Sequence, residues 1–119
     1  MSGADSRYLI SFRRPQLFFN FTLMLTLQNI LQILRQHKPE LQRKYPIGRL
    51  GVFGSYARGE ATDKSDIDIT VEITGHMGLN FVDMADEIEG LFGIKTDVVP
   101  ERSIKPKYLP YVQKDIVYV

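Results

Sequence analysis

The sequence predicts an α/β domain, a small mixed β-sheet with helices mainly on one face. Three observations predict it. Asp66, Asp68, Thr70 and Glu72 alternate with Ile67, Ile69, Val71 and Ile73, and a period of two is the signature of a half-buried strand. Leu27, Ile30, Leu31 and Leu34 fall at i, i+3, i+4 and i+7 instead, the stripe of an amphipathic helix covering a sheet. The chain has 119 residues, the size of one domain at about 100–200 residues each.

The elements follow in order. The helical stripe spans Leu25 to Gln36, and Pro39 is expected to open a second short helix through Tyr45, since proline suits a first helical turn. Pro46 ends it. Ile47 to Phe53 reads as the first strand, with Leu50, Val52 and Phe53 apolar. Gly54-Ser55 breaks that strand, and Tyr56 to Gly59 has the length of one helical turn. After the polar loop Ala61 to Lys64, the second strand runs from Asp66 to Ile73. Thr74 to Gly78 reads as a flexible connection. Asn80 is placed to cap a helix whose apolar positions are Phe81, Met84, Ala85, Ile88 and Leu91, with Gly90 and Gly93 at its end. Ile94 to Val99 is a third strand stopped by Pro100. A short turn or helix is expected over Tyr108 to Gln113, and a final short strand over Asp115 to Val119.

Composition narrows the chemistry. A net charge of +1 exerts no long-range pull on nucleic acid or membrane. No cysteine is present, which excludes disulfides, thiolate catalysis and cysteine-based zinc sites. Its absence agrees with a cytoplasmic location. His37 and His76 have no ligand spacing and are expected at the surface. Solvated positions are also expected for Glu60, Asp63 and Glu72, and for Lys105, Lys107 and Lys114; Tyr56 is expected to pack.

Near the N-terminus, Arg13 and Arg14 precede the apolar run Leu17 to Leu25, but no small-residue cleavage site follows as a secretory signal requires. The run is about half the length of a membrane span. Residues 1–23 are therefore read as an N-terminal extension and 24–119 as the domain, with Met24 a natural start. Phe18, Phe19 and Phe21 would pack on a partner rather than face water.

The chemistry gathers around Gly54-Ser55-Tyr56-Ala57-Arg58-Gly59-Glu60 and the downstream Ser65-Asp66-Ile67-Asp68-Ile69. Asp66 and Asp68 share a strand face about 7 Å apart. At an effective dielectric near 20 their charges repel by about 2 kcal/mol. A sheet gains nothing from that repulsion, whereas a divalent cation bridging the pair would reverse its sign, and hard oxygen ligands suit Mg²⁺. A glycine turn opening a helix presents backbone amides to an anion. The Gly-Lys-Ser/Thr ending of a P-loop is missing, so this is not a Walker motif. Asp97 stands among apolar and β-branched neighbours, an odd place for a carboxylate unless its face meets a charge.

Gly54-Ser55-x-x-Arg58-Gly59, followed by Ser65-Asp66-Ile67-Asp68, resembles the motif of the nucleotidyltransferase superfamily typified by DNA polymerase beta. It is most similar to the minimal nucleotidyltransferases, single small domains often paired with a HEPN-type partner as a toxin–antitoxin system. The resemblance runs from about Met24 to the end of the chain. It implies a polymerase-beta-like nucleotidyltransferase fold with Asp66, Asp68 and Asp97 as catalytic residues and metal ligands for two Mg²⁺ ions. Gly54, Ser55, Arg58, Gly59 and Ser65 would bind the nucleotide, with Arg58 either pairing with a phosphate or buttressing the loop.

The activity so implied is transfer of AMP from ATP to a hydroxyl, a tyrosine, of a HEPN-type partner toxin, which makes the chain an antitoxin. Nothing in the motif reads the base, so ATP comes from the resemblance alone. Two other readings stand beside it. One is a non-catalytic module that neutralises its partner by occlusion. The other is transfer to a small-molecule or RNA hydroxyl, for which 119 residues leave little room to add an acceptor-shaping helical domain. Homo- and hetero-oligomers are both compatible with the sequence.

Overall fold

The computed structural model describes residues 25–119. The expectations for residues 1–23, including partner packing of Phe18, Phe19 and Phe21, concern a segment outside the described residues. Helix α1 spans Leu27–Lys44, strand β1 Ile47–Phe53, helix α2 Gly54–Arg58 and strand β2 Ile67–Ile73. Helix α3 spans Asn80–Phe92 and strand β3 Thr96–Pro100, followed by a 3₁₀ turn at Glu101–Ser103, helix α4 at Leu109–Asp115 and strand β4 at Val117–Tyr118.

The four strands form one mixed sheet in the order β3-β2-β1-β4. β2 pairs antiparallel with β1 and parallel with β3. A parallel pair needs a crossover long enough to hold a helix, which α3 supplies. Leu50 and Val52 of β1 meet Val71 and Ile69 of β2 in register, and with Ile67 they form one apolar sheet face. Ile30, Leu34 and Leu41 of α1 and Met84 and Ile88 of α3 join these residues in a single buried cluster. Lys44 and Tyr45 both bond Glu87, tying α1 to α3.

Several expectations are corrected. α1 is one helix rather than two, with Pro39 inside it. The reason is Leu41, buried on the same stripe as Ile30 and Leu34; its packing outweighs the lost backbone bond and clash of an interior proline, about 3 kcal/mol. The helix begins at a Thr26–Asn29 capping box, in which each side chain accepts the other's backbone N–H.

Asn80 is not a cap. Leu79 takes that position, and no side chain bonds there. β3 runs through Pro100, which pairs with Val71, because an edge strand tolerates a residue without an N–H. Asp115 ends α4 rather than opening the last strand. Glu72 is not merely solvated: the β1–β2 register shifts between Ile47 and Leu50, and its Oε1 accepts the Arg49 N–H at 3.0 Å. A bulge leaves such a group unpaired.

Candidate active site

The site lies at the end of the sheet where β1 leaves and β2 and β3 enter. Phe53, the last residue of β1, pairs with Asp68, and Asp68 pairs on its other side with Asp97. The parallel register of β2 and β3 thus brings together two carboxylates 29 positions apart in the sequence. Asp66 precedes the first residue of β2 and shares the face of Asp68.

Gly54 follows Phe53 with φ +76°, and a Cβ at this position would overlap the Asp68 carboxylate. Glycine is required twice over, by the left-handed backbone and by the carboxylate lying against it. Ser55 is the second residue of α2, and Gly59 caps that helix with φ 74°. Tyr56 is buried, as expected.

Arg58 is exposed and forms two ion pairs at the surface. Its Nε donates to Glu60 at 2.9 Å and its Nη1 to Asp115 at 3.1 Å. The second pair fastens α4 to α2. Ser65 closes the loop before β2, its Oγ accepting the Thr62 N–H at 2.9 Å. The hydroxyl therefore serves the loop that presents Asp66.

Electrostatics converge on Asp68. Burial, and then the neighbouring Asp97 and Asp66 charges, push its carboxyl above the ordinary value of 3.8. Lys95 answers part of this charge. Its Nζ lies 3.3 Å from Asp66 Oδ2 and 3.5 Å from Asp97 Oδ1. No sequence pattern singled out Lys95; the signal was only its place two residues before Asp97, where alternation puts both on one face.

Among the described residues no three acidic or histidine side chains converge closely enough to enclose a metal ion as they stand. The donor set nevertheless suits a hard cation: three carboxylates, one of them destabilised as an anion by the other two, and an ammonium already drawn between a pair. A cleft of about 410 Å³ also borders α2, lined by Leu25, Tyr56 and Arg58 among others. None of the three aspartates lines it, so it is not the place where chemistry at the carboxylates occurs. No helix among the described residues is long and apolar enough to cross a membrane.

A family model described as a nucleotidyltransferase domain matches residues 34–119. The protein adenylyltransferase MntA of Thermococcus cleftensis is 40% identical over 97 residues, an alignment covering 81% of this chain and 98% of the relative. MJ0128 of Methanocaldococcus jannaschii, a candidate protein adenylyltransferase, is 43% identical over 98 residues, covering 81% of this chain and 100% of that one. A solved structure of a candidate minimal nucleotidyltransferase superposes with a TM-score of 0.65 at 32% identity, covering 78% of this chain and 95% of its own. A toxin–antitoxin structure with AMP-PNP shares the fold, with a TM-score of 0.57 at 23% identity over 79% of this chain and 72% of that one.

Proposed function

The chain belongs to the nucleotidyltransferase domain family, and from that premise we propose that it transfers AMP from ATP to a tyrosine hydroxyl of a HEPN-type partner toxin, acting as its antitoxin. The observation that carries the reading is the row Phe53–Asp68–Asp97. It sets two carboxylates beside the Gly54-Ser55 turn, where a nucleotide triphosphate would lie. The name of the Thermococcus relative supports adenylyl transfer to protein, and the toxin–antitoxin structure of the same fold supports a protein partner.

Gly54 and Ser55 hold the β- and γ-phosphates through backbone amides and the serine hydroxyl. Asp66, Asp68 and Asp97 would hold two Mg²⁺ ions, whose chemistry would be to neutralise charge developing at the α-phosphate. The acceptor oxygen attacks the α-phosphorus, the bond to the β-phosphate oxygen breaks, and pyrophosphate leaves. Asp97 accepts the hydroxyl proton. Gly59 lets the chain turn out of α2, and Ser65 fixes the loop that carries Asp66. Arg58 buttresses the turn through Asp115 rather than gripping a phosphate. The three aspartates are half-exposed or exposed, so the partner supplies the acceptor's surroundings.

Incubation with the partner and ATP labelled at either the α- or the γ-phosphate tests the reading. Label should reach the partner only from the α-position, with release of pyrophosphate. Label arriving from the γ-position would identify a kinase and overturn the proposal.

A further inference from the structure

Lys95 is a tethered cation inside an acidic site. It sits just before β3, and its backbone carbonyl accepts the Ile67 N–H at 3.1 Å, fixing its stem at the mouth of β2. Its Nζ stands within 3.5 Å of one oxygen each from Asp66 and Asp97, two of the three carboxylates assigned to the metals. An ammonium and a divalent cation cannot both neutralise the same oxygens. The lysine side chain is 67% exposed, so it has room to leave, and its long flexible stem costs little to swing.

We propose that Lys95 is a built-in competitor for the divalent-cation site, held between Asp66 and Asp97 until a metal ion displaces it, so that it sets the metal concentration at which the enzyme becomes competent. The inference rests on the metal-site reading above and adds a regulating residue to it. Lys95 acts through the ligands and is therefore a positioning residue. Before metal arrives it relieves repulsion among the carboxylates, and afterwards its charge lies free beside the entry to the site. Each exposed ion pair is individually weak, so losing two corresponds to a change in metal affinity of about three- to tenfold.

The test measures Mn²⁺ binding without nucleotide, from the loss of the free-ion paramagnetic resonance signal, on the full-length chain. Wild type, Lys95→Gln, Lys95→Arg and Asp68→Asn are compared. Lys95→Gln should bind Mn²⁺ about three- to tenfold more tightly than wild type, Lys95→Arg should stay close to wild type, and Asp68→Asn should bind more weakly. Thermal melts give a second readout. Lys95→Gln should melt below wild type in chelator, and saturating Mn²⁺ should erase the deficit, because a ligand stabilises the form it binds. Equal or weaker Mn²⁺ binding by Lys95→Gln, with wild type binding normally, would overturn the inference. If neither wild type nor Asp68→Asn bound Mn²⁺, the metal-site reading itself would fail and take the inference with it.

Discussion

Asp68 is held where its charge is least welcome, partly buried between the Gly54 turn and Asp97. Its folded carboxyl lies above the ordinary value of 3.8, so between those two values the folded state binds more protons than the unfolded one. Stability therefore falls as pH rises through that window. Asp68→Asn should accordingly raise the melting temperature in chelator at neutral pH while abolishing transfer. The gain should be full above the raised folded value and vanish below pH 3.8; melts across pH 3–8 in chelator check it. A variant less stable than wild type at neutral pH would contradict the reading.

The glycines separate two causes. Gly54→Ala combines a positive φ with overlap on Asp68 and should cost more than about 2 kcal/mol and most activity. Gly59→Ala meets open space, so it should cost only the backbone strain, about 1 kcal/mol, and leave transfer largely intact. Denaturant unfolding measures both. At this scale Asp66 and Asp68 were legible because a two-residue period fixes their common face. Lys95 was not, since its partnership with Asp66 crosses 29 residues and no local pattern reports it.

Among the elements, α1 departs most from the sequence reading. Pro39 looked like a helix start because local rules favour proline there, but Leu41 belongs to the same buried stripe as Ile30 and Leu34, and tertiary packing prevails over propensity. Pro39→Ala would restore an N–H able to bond the Arg35 carbonyl. It should stabilise the protein by up to about 3 kcal/mol, read as a shift in the denaturation midpoint; destabilisation would contradict an uninterrupted helix. α2 and α4 are coupled through Arg58 and Asp115, a link invisible in sequence because the partners lie 57 residues apart. The strands were legible to within two or three residues, as periodicity fixes type better than boundary. Pro100 stayed in β3 only because that strand is an edge.

For the whole molecule, the mixed sheet was readable from alternation and from helix-length connections, while the strand order was not. That order assembles the carboxylate group. Only with β3 parallel beside β2 does Asp97 become the neighbour of Asp68; alternation alone would allow any edge. The helical layer of α1 and α3 buries one sheet face and leaves the aspartates open at the sheet's end, as suits the proposed transfer to another protein. The proposed reaction is AMP transfer to that protein through this carboxylate group. Intact-mass analysis of the partner after incubation with the protein, Mg²⁺ and ATP tests it most directly. Mass gains in whole AMP units are expected, and they should disappear with the Asp66→Asn, Asp68→Asn double variant. An unmodified partner held in a stable complex, or gains that persist with the double variant, would contradict it.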